Sequence, residues 1–342
     1  MVGVIKTSLQ FGLIAATLVV TAWANLARGD SVDAGEMLMR MNAAFTEENY
    51  DGVFTYVSGD EMASLRIVHR LDGTTRKERL VHLDGAHREI VREGDEVVCI
   101  VMPGDDIAML ERSIPDGPFA RSFVRRFENL SDSYQVVNMG DGRVAGRNAV
   151  RLSIEPLDAH RYGYRLWLDS QSSLLLRSEM IDKRDRRLEV FQFNHVVMGD
   201  SVAAQSLEPS EPQGSMVSHL SLKATETLAV TAPQQVPKWQ LEWVPPGFRM
   251  SMEDVREDAR AQSVSSMMYS DGLASFSIFV EPMPERGAAT MTSQNGATVA
   301  ITRGVMLADK RSRPDADYYL ATLVGEIPSA TGHQILDSLV AQ

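Results

Sequence analysis

Alternation of apolar and polar residues dominates most of this chain. Val53-Phe54-Thr55-Tyr56-Val57 begins a series of period-two stretches that continues through 65–71, 76–82, 88–92 and 97–102. Asp72-Gly73, Asp84-Gly85 and Gly94-Asp95 separate them. Short alternating runs punctuated by such dipeptides predict antiparallel strands joined by tight turns. Stretches 147–154, 162–169, 174–181 and 188–197 extend the series. Ahead of it, residues 33–49 follow helical spacing. There Met37, Leu38, Met41, Ala44 and Phe45 share one stripe, and Asp33 and Glu36 stand at capping-box spacing. One helix followed by a long meander predicts an α+β fold, with an antiparallel open β-barrel and helical structure on its concave side.

Between the two strand series, Phe119, Phe123 and Phe127 recur every fourth residue, with Arg121, Arg125 and Arg126 among them. This is the pattern of a short amphipathic helix. It either plugs the sheet with its rings and solvates its guanidinium groups, or forms a lid over an apolar pocket with a basic rim for an anionic ligand. Phe119, Phe123, Phe127, Arg121 and Arg125 are the candidate ligand-binding residues.

The alternation weakens after Val197. Residues 206–213, SLEPSEPQ, and 231–237, TAPQQVP, are rich in Pro, Ser and Gln and bracket a strand-like stretch at 216–225. The expected division is therefore a leader at 1–24, a large domain at 25–205, a linker at 206–235 and a small domain at 236–342. In the small domain, 239–248 reads as an edge strand and a turn, with Pro246-Gly247 at the turn's centre. Residues 268–281, MYSDGLASFSIFVE, read as a hairpin about Asp271-Gly272. Ala274, Phe276, Ile278 and Val280 then share one face. Ser275, Ser277, Phe279 and Glu281 share the other, which is polar but for its phenylalanine. A second hairpin, 297–306 with 318–326, and a closing helix at 329–340 complete a small α+β unit.

The first residues bear on location. Lys6 precedes an apolar run at 11–23 that ends in Ala22-Trp23-Ala24. This predicts an export signal cut after Ala24, with Ala27 as the alternative site and a retained anchor as the competing reading. The run falls short of the roughly 20 apolar residues of a membrane span. No cysteine follows it, which argues against lipid attachment at the cut. The formal charge of −12 becomes −13 once Lys6 is removed. So acidic a chain lacks the positive field that general nucleic-acid binding needs. Cys99 has no second cysteine to pair with, and its apolar flanks predict a buried strand.

No strong catalytic pattern emerges. The chain has no G-x-S-x-G elbow, phosphate loop, H-E-x-x-H or paired-cysteine motif. His82 and His87 have ligand-like spacing, but they flank Asp84-Gly85 and are expected to form an exposed cross-strand pair without a third ligand. Residues 183–187, KRDRR, read as a solvated hairpin tip. The composition thus favours a binding protein without cofactor over an enzyme, although a hydrolase with dispersed residues leaves no local trace.

Several stretches carry a resemblance. Tyr50-Asp51-Gly52-Val53-Phe54-Thr55-Tyr56, the segments 78–85 and 141–147, and Tyr162-Gly163-Tyr164-Arg165-Leu166-Trp167-Leu168-Asp169 are similar to the RseB/MucB family. So are 243–248, 269–276 and 324–328. In order, they span nearly the whole chain after the leader. The resemblance implies a periplasmic regulator of envelope stress. Its large domain would resemble the lipoprotein carriers LolA and LolB, with an apolar cavity. Its small domain would contact the periplasmic part of a membrane-spanning anti-sigma factor and shield it from proteolysis. Lipopolysaccharide or a lipoprotein acyl group would release the complex. Trp243, Phe248, Tyr269 and Phe279 are then the candidate partner-binding residues. The resemblance leaves a homodimer open. The alternative is a periplasmic lipid or lipoprotein carrier with no regulatory partner, for which a second domain would have no use.

Overall fold

The computed structural model describes residues 34–102, 132–210, 214–221, 237–257, 263–283, 290–306 and 318–341. Helix α1 (Ala34–Glu47) leads into β1 (Tyr50–Ser58), β2 (Glu61–Asp72), β3 (Thr75–His82), β4 (Arg88–Glu93) and β5 (Glu96–Val101). A second meander comprises β6 (Tyr134–Val144), β7 (Arg147–Pro156), β8 (Gly163–Asp169), β9 (Leu175–Ile181) and β10 (Arg187–Met198). Pairing of β1 with β10 fuses the two meanders, and β11 (Met216–Ser221) adds to the edge beside β5. The result is an eleven-stranded antiparallel sheet in the order β11-β5-β4-β3-β2-β1-β10-β9-β8-β7-β6.

The sheet is open, since β11 and β6 end the order and do not pair with each other. It is nevertheless strongly curled. Helix α1 touches β2 and also β6, which lie far apart in the strand order. Leu38, Met41 and Ala44 of the helix stripe are buried against Phe54, Leu152, Leu166, Phe191 and Phe193. Cys99 is buried in β5. Among the described residues, no helix is long and apolar enough to cross a membrane.

Gly52 has a specific packing reason. A Cβ there would lie 2.5 Å from Cε1 of Phe193 and 2.9 Å from the carbonyl oxygen of His195. The ring of Phe193 therefore fills the space a side chain would occupy. Gly52→Val is expected to cost about 1–3 kcal/mol through overpacking. A urea titration that left the unfolding midpoint unchanged would refute that role.

The expected linker is in part built into the large domain. After β10 the chain makes two short 3-10 turns, Gly199–Ser201 and Ala204–Leu207, and runs across β2 and β3. Arg70 donates to the carbonyl of Val202 at 2.6 Å, and Arg79 to that of Ser206 at 3.1 Å. The buried carboxylate of Glu89 accepts from Arg79 Nε at 2.6 Å and from the amide of Ser210 at 3.1 Å. Burial opposes ionisation of Glu89, yet hydrogen bonds from Arg79 and Ser210 outweigh it and hold the carboxyl below its ordinary value. The strap delivers the chain to β11. The strand-like stretch inside the 206–235 segment is thus a strand of the large sheet. His82 and His87 also differ from expectation. The β3–β4 ladder ends with Val81 opposite Glu89, so the two histidines do not face each other. Both are half-buried, with His82 opposite Leu65 and His87 beside Glu89 and Ser210.

The small domain has a six-stranded antiparallel sheet. It comprises β13 (Arg249–Glu257), β14 (Ser263–Ser270), β15 (Ser275–Pro282), β16 (Met291–Asn295), β17 (Thr298–Met306) and β18 (Tyr318–Gly325), in the order β13-β14-β15-β18-β17-β16. Helix α2 (Ser329–Asp337) covers one face. The expected helix at 329–340 stops early, because Ser338 leaves helical geometry and donates to the carbonyl of Trp243 at 2.9 Å. Leu339–Ala341 then forms β19, paired with β12 (Trp239–Leu241).

Candidate functional site

The Asp271-Gly272 stretch joins β14 to β15. Ser270 faces Ser275, so the loop holds four residues, 271–274, rather than a two-residue turn. Asp271 organises it. Its Oδ1 accepts the amides of Leu273 at 2.9 Å and Ala274 at 2.7 Å. Its Oδ2 faces the large domain, where it accepts Nη1 of Arg161 at 2.6 Å and the hydroxyl of Tyr134 at 3.0 Å. One carboxylate therefore shapes the loop with one oxygen and docks the domains with the other. Leu273, at the loop's tip, is buried in the core of the large domain, as is Ala297.

Arg161 is the other half of this seam. Its side chain is fully buried, and that of Asp271 nearly so. Nε and Nη2 grip Asp158 at 3.1 and 2.9 Å, and Nη2 also donates to the carbonyl of Pro246. The guanidinium lies 5.3 Å from the ring centre of Tyr134 and 5.1 Å from that of Phe248, within range of cation–π attraction. A charge this deep needs each of these partners to offset its lost hydration. Around it, Tyr162 donates to the carbonyl of Ile327 at 3.2 Å, and His160 Nδ1 lies 3.2 Å from the hydroxyl of Thr331. Gly247, at φ +88°, brings the Pro246 turn so close that a Cβ would meet Ser133 Oγ at 2.5 Å.

The proposed partner-binding residues separate on this frame. Tyr269 is buried and stacks on Phe276 with ring centres 5.1 Å apart, and Phe248 is buried beneath Arg161. Their side chains hold the small domain and the seam together and present little surface to a partner. Trp243 is half-buried, its ring edge-on to His160 at 5.2 Å. Phe279 is 41% exposed, on the sheet face opposite Phe276, Ile278 and Val280, all of which are buried. Ser266, Thr322 and Thr302 continue its row across β14, β18 and β17. The next row carries Met252, Met268, Val324 and Ala300. These residues are half-buried or exposed, so a mixed apolar and hydroxyl surface lies open on the outer face. Phe119, Arg121, Phe123, Arg125 and Phe127 lie outside the described residues.

The MucB/RseB N-terminal domain model matches residues 33–211, and the MucB/RseB C-terminal domain model matches 233–340. The chain is 32% identical over 314 residues to the sigma factor AlgU regulatory protein MucB of Pseudomonas aeruginosa, covering 90% of this chain and 91% of that protein. A solved structure of MucB in complex with MucA(peri) superposes with a TM-score of 0.71 at 28% identity, covering 91% of this chain and 99% of that one. Another solved structure, of MucB, gives a TM-score of 0.60, also at 28% identity, over 92% of this chain and 99% of that one. With both domain models matched in order along the chain, it belongs to the MucB/RseB family.

Proposed function

We propose that this chain works in the periplasm as a binding regulator. It holds the periplasmic part of a membrane-spanning anti-sigma factor, shields that segment from the protease that would cut it, and so keeps an envelope-stress sigma factor inactive. The observation that carries this reading is the likeness of both domains, in one arrangement, to MucB bound to MucA(peri). A lipid carrier would use the large sheet alone and has no need of a second domain docked through a buried ion pair. Phe279 and Trp243 are the proposed contact residues, since their side chains are exposed or half-buried in the small domain. Lipopolysaccharide or a lipoprotein acyl group is the proposed releasing signal. Phe119, Phe123 and Phe127 would receive its chains, and Arg121 and Arg125 its anionic groups.

Titration of residues 25–342 with the periplasmic segment of the cognate anti-sigma factor tests the reading. Saturable binding is expected, together with slower cleavage of that segment by the site-one protease and loss of both effects on adding lipopolysaccharide. Retention of acylated lipid without any affinity for the anti-sigma segment would instead identify a carrier.

A further inference from the structure

The outer face of the small domain's sheet concentrates methionine. Among the described residues, five large apolar side chains of that domain stand exposed: Met250, Met252, Met291, Met306 and Phe279. Strand register gathers most of them. Met252 lies opposite Met268, and their row runs on through Ser277, Val324 and Ala300. The row of Phe279 passes through Thr322 and Thr302 and ends at Met291 on the β16 edge. Met306 stands at even spacing from Thr302 along β17 and so shares that face. Met252 is 51% exposed, Met291 70% and Met306 55%, while Met268 is half-buried. Helix α2 packs on the other side, where a Cβ on Gly332 would lie 2.7 Å from Cδ1 of Ile301.

Nothing in strand formation favours methionine there. Branched and aromatic residues suit a pleated face better, and valine or isoleucine would supply the same apolar surface. Methionine adds two properties: a flexible side chain that adapts to a partner, and a thioether sulfur that an oxidant converts to a sulfoxide. The inner methionines are shielded by contrast. Met267, the chain neighbour of Met268, lies opposite Ile278 and is buried in the core, as Met41 and Met180 are in the large domain. Cys99, the single cysteine, is buried as well, so no exposed thiol competes for the oxidant. Phe279, a proposed contact residue, sits within the methionine cluster, in the row that Met291 ends.

We infer that this face is a modification site: peroxide converts Met252, Met268, Met291 and Met306 to sulfoxides, and the face, now polar, lets go of the anti-sigma segment. The inference deepens the proposed function and rests on it. Each thioether sulfur attacks one oxygen of hydrogen peroxide. An S–O bond forms as the O–O bond breaks, and the departing hydroxide takes the proton of the transferred hydroxyl and leaves as water. The sulfur loses two electrons and the peroxide gains them. A polar sulfoxide then stands where an apolar side chain stood. A partner seated there has to bury the new dipole unpaired, and one such group is enough to weaken binding about tenfold. The modified side chains stand on the face opposite Phe276, Ile278 and Val280, so the core keeps its packing.

Treating residues 25–342 with hydrogen peroxide, and removing it with catalase before untreated anti-sigma segment is added, tests the inference. Peptide mapping by mass should find sulfoxide at Met252, Met291 and Met306 ahead of Met41 and Met180. The dissociation constant should rise about tenfold while the melting temperature holds. The triple variant Met252→Leu, Met291→Leu, Met306→Leu, compared with its own affinity before treatment, should lose much less. Should that variant fail to fold, a methionine sulfoxide reductase with a dithiol should restore the affinity of the treated parent protein. Unchanged affinity in a parent protein carrying these sulfoxides would overturn the inference. So would an equal loss in the triple variant, a loss that the reductase leaves in place, or a loss that accompanies unfolding. Failure of the proposed function is separately visible, because the untreated protein would then not bind the segment at all, and the inference would fall with it.

Discussion

Arg161→Met should destabilise the protein by about 3–5 kcal/mol, the usual cost of removing one member of a buried ion pair. The replacement leaves the Asp271 carboxylate buried with only the Tyr134 hydroxyl and its own loop amides. It also strips the Pro246 carbonyl of its guanidinium donor and leaves Asp158 with the His160 amide alone. Asp271→Asn should cost less, because Arg161 would keep the carboxylate of Asp158 at 2.9 Å. The asymmetry is itself a test. In the double variant, adding Asp271→Asn to Arg161→Met should be neutral or stabilising, since it removes the stranded charge. Denaturant unfolding of the four proteins measures the cycle. If Arg161→Met stayed within about 1 kcal/mol of the parent, the seam would not be held by this pair.

The second large effect separates two phenylalanines three residues apart. Phe276 is buried, stacked on Tyr269 and packed against Phe248 at 5.4 Å between ring centres. On β18, Gly325 leaves it room: a Cβ there would fall 2.5 Å from that of Phe276. Phe276→Ala should cost about 3–5 kcal/mol, from lost burial plus the cavity left behind. Phe279 points the other way and is 41% exposed, so Phe279→Ala should change the melting temperature little. On the proposed function, the same change should weaken anti-sigma-factor binding by about 1–2 kcal/mol or more. Melting temperature and affinity measured side by side decide the matter. An unaltered affinity in a stable Phe279→Ala protein would move the contact surface elsewhere on the small domain.

Most strands are legible in the sequence because one face of each is buried, and burial of one face imposes alternation. The face assignment of 274–280 follows from that alone. Besides Leu339–Ala341, which reads as the end of a helix, three strands are illegible for definable reasons. Tyr134–Val144 contains Gly140-Asp141-Gly142, which reads as a turn, and the structure accommodates it with a register shift between Asn138 and Asp141. Arg249–Glu257 is an edge strand with a shift between Met250 and Met252, so its period is broken. Met291–Asn295 is exposed at every position, and no buried face betrays it. The seam was hidden more deeply. Asp271 looked like an ordinary turn residue, and its partner lies 110 residues away. A His-Arg-Tyr cluster at 160–162, in a loop between strands, was the one available hint. Spacing cannot reveal a pair formed only when two domains meet.

Joining the two meanders through β1 and β10 also governs the order in which the molecule can assemble. Val53 of β1 lies opposite His195 of β10, so the central ladder closes across most of the large domain. Loop-closure entropy makes so distant a pairing slow and late, whereas β2 to β5 pair with their immediate neighbours. During synthesis from the N-terminus, β1 emerges early and must wait with one edge unpaired and with Tyr50 and Phe54 uncovered. An exposed edge of this kind invites pairing with another chain. The β1–β10 ladder is therefore where folding yield is decided. Changes along it should alter how much protein reaches the native state more than how well that state binds.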